Sequence, residues 1–190
     1  MAFMASCEIL MNAVLLRMNT VVVRLALALA LSVSAAAPAA AQSRELAGGV
    51  TFQKWLAGWD DSKGFAIDFA QTLRTTPRTS FALVADLGVN FFADEETDIG
   101  ITGGARFRFL PSHRFSPYAQ ATAGVMHWSE TFPLPETGND PLIGGGAGVQ
   151  IRLTKRFDVK GQYDFWRSWS SRFEEWSWIT RIYVAGVIKF

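Results

Sequence analysis

The chain has 190 residues, a formal net charge of +1 and a single cysteine, Cys7. A charge so balanced gives no electrostatic footprint for nucleic acid or for a strongly acidic partner, and the length suits one domain. With Cys7 alone, near the N-terminus, a disulfide framework or a thiolate metal site is excluded.

The first element is a leader. Arg24 precedes the apolar run Leu25 to Val33, and the small-residue tract SAAAPAAAQ follows. A basic n-region, an apolar h-region and an A-x-A signal predict a signal peptide over 1–41, cleaved after Ala41, with the mature domain over 42–190. Met11 or Met18 would give a more ordinary start than Met1. An uncleaved membrane anchor is the rival reading, but Pro38 and the alanine tract make a poor helix end. MASC superficially resembles a lipoprotein box, yet the six residues before Cys7 supply no apolar run.

Beyond Gln42 the pattern is alternation. Strands are predicted near 48–57, 64–73, 79–91, 98–110, 115–128, 142–153, 157–168 and 177–190, separated by WDDSK, TTPR, ADEET, PSHR, the long ETFPLPETGNDP, the short TKR and SSRFEE. At about 10 residues or more, each suits a tilted bilayer crossing. In RFDVKGQYDFWRSW the apolar Phe157, Val159, Gly161, Tyr163 and Phe165 alternate with Asp158, Lys160, Gln162 and Asp164. The same two-residue period puts Asp68, Asp86, Asn90, Arg106, Arg108, Gln120, Gln150, Arg152, Arg181 and Lys189 opposite a continuous apolar face.

Alternation alone fits two solutions: a soluble lipocalin-like carrier with the apolar face inside, or a membrane barrel with it outside. Three signals select the second. The short TTPR, PSHR and TKR fall at one end and the longer connections at the other. Trp55, Trp59, Trp128, Trp166, Trp169, Trp176 and Trp178 all map to the long-connection end, where a membrane interface favours indoles. Phe107, Phe109, Phe115, Phe157 and Phe190 supply an opposite girdle. Acidic residues, Asp60, Asp61, Asp94, Glu95, Glu96, Asp98, Glu130, Glu136, Asp140, Glu174 and Glu175, collect at the tryptophan end, and Arg74, Arg78, Arg114, Lys155 and Arg156 at the other. The fold expected is an all-β, eight-stranded, antiparallel up-and-down transmembrane β-barrel.

On the leader, the eight alternating strands and the final strand WSWITRIYVAGVIKF, the chain resembles the small bacterial outer-membrane β-barrels, such as the OmpA transmembrane domain and OmpX-like barrels. RFSPYAQATAGV and GGGAGVQIRLTKRFDVKGQYDF resemble segments of the same class. The resemblance implies an outer-membrane location, a terminal Phe190 read as an assembly signal by the barrel-assembly machinery, and lipopolysaccharide as lipid neighbour. No OmpA-type peptidoglycan-binding domain follows in this sequence.

Eight strands leave an interior only wide enough for side chains. Asp68, Asp86, Arg106, Arg108, Arg152, Asp158, Lys160, Asp164, Arg181 and Lys189 are therefore expected to form a lumen charge network that plugs it. A turn at Thr154–Arg156 predicts Arg152 opposite Asp158, and a connection centred near Arg172 predicts Asp164 opposite Arg181. Asp68 facing Asp86 would be unfavourable unless Arg106 or Arg108 reaches between them or a proton is retained. Gly144, Gly146 and Gly148 fail the dinucleotide pattern, because Val149 stands where a third glycine is needed and no helix follows. They are expected to leave lumen space or allow strand curvature.

The enzymatic alternative is His127-Trp128-Ser129, with Glu130 or Glu136 as orienting acid. It resembles the His-x-Ser of outer-membrane lipid A deacylases, which continue with Asn where this chain has Glu130. No cofactor or metal site is expected, since DEETD lacks calcium-loop spacing. The functional expectation is a monomeric, non-enzymatic barrel acting structurally or in surface interaction through acidic external loops. A lipid A-modifying hydrolase and a soluble periplasmic carrier are the alternatives.

Overall fold

The computed structural model describes residues 43–56, 61–92, 96–130, 136–170 and 175–190, all inside the compact unit Ala40–Phe190. The leader, Cys7, Trp59, Asp60, Asp94, Glu95 and Glu174 lie outside the described residues. Eight strands follow one another: β1 (Arg44–Trp55), β2 (Asp61–Thr75), β3 (Thr79–Phe91), β4 (Thr97–Phe109), β5 (Phe115–Glu130), β6 (Glu136–Arg152), β7 (Phe157–Ser170) and β8 (Glu175–Lys189). Each pairs antiparallel with the next and β1 pairs with β8, closing the barrel. Closure leaves no strand edge along the wall, so backbone N–H and C=O groups are satisfied without water.

Two of the short turns are locked by threonine. Thr76 Oγ1 accepts from the Thr79 and Arg78 amides at 3.0 and 3.3 Å, and Thr154 Oγ1 accepts from Phe157 and Arg156 at 3.0 and 3.2 Å. A side-chain oxygen that caps its own turn explains why TTPR and TKR reverse the chain so tightly.

The period-two alternation appears directly as exposure. Phe65 is 65% exposed and Asp68 1%; Phe157 and Phe165 are 40% and 41% exposed, Asp158 and Asp164 4% and 0%. In water this would be an inverted protein, with carboxylates buried and phenyl rings wetted. It is stable only where the outer solvent is hydrocarbon. That sidedness rules out the lipocalin-like carrier, whose apolar face would have to point inward.

One predicted connection is largely strand. ETFPLPETGNDP reads as turn chemistry, yet β5 and β6 continue the ladder from Val125–Pro141 to Glu130–Glu136. Gly138, Asn139 and Pro141 are tolerated because the partner strand supplies the pairing, and Pro141 lies where β6 has no second neighbour: its pairing with β7 begins only at Leu142. The connections at the tryptophan end, 56–60, 92–96, 131–135 and 171–174, are therefore hardly longer than those at the other end. The β5–β6 hairpin, rather than long loops, distinguishes that rim.

Glycine at 148 answers a close approach. A Cβ there would lie 2.5 Å from the Gly161 carbonyl oxygen on β7 and 2.6 Å from Cζ and Oη of Tyr118, whose hydroxyl reaches over β6 to Gln162. Gly148→Ala is expected to cost about 1–3 kcal/mol by overpacking, read as a lower urea midpoint for unfolding from lipid vesicles.

Candidate functional site in the interior and at the rim

The interior is built from inward-facing positions of all eight strands. Near the short-turn end, Arg108 of β4 forms a bidentate pair with Glu45 of β1, at 2.8 and 2.6 Å. Gln150 reaches Asp158 at 2.7 Å and Glu45 at 3.4 Å, and Lys189 pairs with Asp158 at 2.7 Å. One level up, Asp68 receives Arg106 at 2.6 Å and Lys160 at 3.0 Å. Arg106 also donates to Gln120 at 2.9 and 3.1 Å and lies over the Tyr118 ring.

At mid-barrel Arg181 is the hub. It holds Asp86 through two nitrogens at 2.7 and 3.1 Å and Asp164 through two at 2.9 and 3.0 Å, with its guanidinium 4.4 Å from the Trp166 centroid. Asp68 and Asp86 do stand opposite each other. Their repulsion is relieved from two sides, Arg106 and Lys160 taking one carboxylate and Arg181 the other. Charge-assisted bonds of this kind are what allow ions to remain out of water.

Above this level come hydroxyl and amide groups with one carboxyl, Asp98, and then an apolar cluster. Thr51, Asn90, Gln53 and Asp98 form a chain of bonds at 2.6, 3.1 and 3.1 Å. Met126, Leu142, Trp166 and Ile179 pack over it, with Trp55 against them. Among Asp86, Thr102, Trp166 and Arg181 lies a void of about 10 Å³, room for a single water, while a wider vestibule of about 520 Å³ opens at the short-turn end beside Glu45, Arg108 and Asp158. The arrangement is a plug.

Several sequence expectations are corrected here. Arg152 and Asp158 are in register, as expected, but form no pair: Arg152 donates to the backbone carbonyls of Ser112 and Pro111 at 3.0 and 2.6 Å. At the rim, turn carbonyls compete for a guanidinium, and Lys189 takes the carboxylate instead. Asp164 and Arg181 are both in register and paired. Glu45 was missed because the first strand starts before the predicted boundary at 48. Its parity with Ala47, Thr51 and Gln53 marks it as inward-facing once the strand is extended.

The tryptophans divide by face. Trp169, Trp176 and Trp178 are exposed on the outer wall, whereas Trp128 and Trp166 are buried at 7% and 4%, and Trp55 bonds inward to Asp98 at 3.4 Å. Those three are not interface residues. Trp166 shares parity with Asp164, and its indole N–H donates to Thr122 Oγ1 at 3.1 Å. Asp98 and Asp140, counted from sequence as external acids, are buried inside the mouth. Phe107, Phe109, Phe115, Phe157 and Phe190 are all exposed at the opposite rim.

His127 and Ser129 face outward near the tip of the β5–β6 hairpin. His127 Nδ1 lies 3.0 Å from Asn139 Oδ1 on the facing strand. Among the described residues no hydrogen bond joins the imidazole to Ser129. Glu130 and Glu136 oppose each other three residues beyond the His127–Asn139 pair.

A closed antiparallel sheet with paired charges inside and a continuous apolar wall outside, bordered by aromatic residues at both ends, defines a transmembrane β-barrel. The chain belongs to the outer membrane protein beta-barrel domain family, whose model matches residues 25–171. No curated protein sequence matches it. Among solved structures it is similar to Neisserial surface protein A (NspA), with a TM-score of 0.59 at 13% identity over 78% of this chain and 97% of that one. It is similar also to Ail, the attachment invasion locus protein of Yersinia pestis, with 0.53 at 14% over 78% and 97%. A third likeness is to the outer membrane enzyme PagL, with 0.50 at 12% over 78% and 99%. At these identities the likeness is one of fold.

Proposed function

We propose that this barrel is non-enzymatic, and that it serves the outer membrane structurally or as a surface-interaction protein through its tryptophan-end rim. The observation that carries this reading is the filled mid-barrel: Arg106, Lys160 and Arg181 are paired with Asp68, Asp86 and Asp164 across the lumen, which supports a barrel that does not conduct. The β5–β6 hairpin supports the surface role, because its ladder runs on to Glu130–Glu136, beyond Leu142 where the β6–β7 ladder begins, and so carries ordered strand to the rim. The protein is exported with its leader removed after Ala41, is assembled through the Phe190 signal, and acts as a monomer.

Two measurements test the proposal together. Purified wild type in planar bilayers is expected to show no steady, large conductance. Wild type and His127→Ala, incubated with lipopolysaccharide and followed by lipid A mass spectrometry, are expected to release no acyl chains. Release by the wild type that disappears in His127→Ala would establish the hydrolase instead, with Asn139 in the orienting place.

A further inference from the structure

Outward-facing cations at the tryptophan rim are confined to one side of the barrel. Among the described residues they are Arg167 on β7, Lys54 on β1 and Lys63 on β2, all exposed. These strands are contiguous around the wall through β8. The corresponding outward positions on β3 to β6, such as Phe91, Thr97, Ser129 and Ile143, carry no Lys or Arg. Strands lie about 4.8 Å apart and rise about 3.3 Å per residue. Lys63 is level with Tyr163 through Phe52 and Ile182, so it stands roughly 14 Å from Arg167 across three strands and roughly 13 Å along them, a backbone span of roughly 19 Å into which both long side chains can reach.

Arg167 lies over aromatic surface. Its guanidinium carbon is 5.1 Å from the Trp176 ring centroid and 5.2 Å from that of Trp178. Those rings are themselves fixed: Phe165 stacks on Trp178 at 4.5 Å, and Trp169 meets Trp176 edge to face at 5.5 Å. A guanidinium attracted to indole rings still carries five N–H donors, in a fork that suits a planar, bidentate acceptor such as phosphate. No carboxylate of a described residue pairs with it, whereas Lys54 is tethered to Asp61 at 3.3 Å.

Lys63 stands at the head of a separate groove. It lies between Phe52 and Phe91 in the register, with Phe65 one outward position deeper into the wall. Together with Val50 these side chains line a groove of about 340 Å³ on the lipid-facing surface. An apolar trough that ends in an ammonium at interface depth suits a hydrocarbon chain joined to an anionic head. Free phosphate would leave the trough empty. A lipid with one phosphate would leave one of the two cation stations unused.

We infer that the outer wall from β7 through β8 and β1 to β2 is a binding site for the lipid A part of lipopolysaccharide, its phosphorylated disaccharide spanning Arg167 and Lys63 and one acyl chain lying in the Phe52–Phe65–Phe91 groove. The site rests on the outer-membrane placement and not on the absence of catalysis: acyl-chain release with binding intact would overturn the proposed function alone.

Native mass spectrometry of the full barrel released from micelles tests it, with bisphosphorylated lipid A as probe. The other arms are the same lipid after enzymatic dephosphorylation, phosphatidylglycerol, and inorganic phosphate as competitor. Heat-dependent gel mobility confirms folding of each variant. Loss of two charge-assisted contacts in Arg167→Gln/Lys63→Gln should weaken lipid A retention by about tenfold or more. Arg167→Lys, which keeps charge without the planar fork, should fall between, and Arg156→Gln at the opposite rim should match wild type. Dephosphorylated lipid A and phosphatidylglycerol should bind wild type no better than lipid A binds the double variant, and millimolar phosphate should not compete. Equal retention by a folded double variant, equal binding of phosphatidylglycerol, or displacement by phosphate would overturn the assignment.

Discussion

Arg181→Leu is expected to destabilise the barrel by about 3–5 kcal/mol, the cost of removing one partner from a buried ionic cluster. Two carboxylates depend on that one guanidinium. Among the described residues Asp86 pairs with no other cation, and Asp164 would retain only the amides of Gln162 and Gln120. The loss of Arg181 also uncovers the Trp166 face. Unfolding in urea from lipid vesicles, followed by tryptophan fluorescence and gel mobility, measures the effect. The triple variant Arg181→Leu/Asp86→Asn/Asp164→Asn should recover most of it, because the penalty belongs to stranded charge rather than to lost volume. A single variant as stable as wild type would show that water takes the place of the guanidinium and would contradict the buried ionic cluster.

The second large effect tests sidedness. Ile67 faces outward near the middle of β2, between Gly48 and Leu87 on the neighbouring strands, and is 55% exposed. Ile67→Arg is expected to cost roughly 2–4 kcal/mol in vesicles, since a guanidinium at the bilayer midplane must be dragged through hydrocarbon or drawn up to an interface. Thr97→Arg, at the rim end of β4, should cost about 1 kcal/mol or less, because interfacial water is within reach. A soluble barrel would show no such depth dependence. Equal, negligible costs at both positions would contradict the membrane assignment.

Some of this molecule was readable residue by residue and some was not. The pairings of Asp164 with Arg181 and of Arg152 opposite Asp158 follow from hairpin register, which depends only on turn length and strand parity. The partner that Asp158 takes, Lys189, depends on β7 and β8 lying side by side at a rim where the turn carbonyls of Pro111 and Ser112 draw Arg152 away. Arg108 and Glu45 are further out of reach of sequence: they sit on β4 and β1, which share no ladder, and meet only because the sheet closes. Trp128 and Trp166 teach a different lesson. Their parity placed them with Met126 and Asp164 on the inner face, and sorting indoles by height alone overrode that signal.

What the sequence by itself determined is everything carried by local period and turn chemistry: eight strands, two faces of opposite character, and threonine-locked reversals. A two-residue repeat imposes those features wherever the chain is placed. What only the tertiary structure decided is which charges meet across the lumen, how far the β5–β6 ladder runs, and which cations share the outer wall. Those depend on distances between strands remote in the chain, and closure of the sheet fixes such distances while no local preference encodes them.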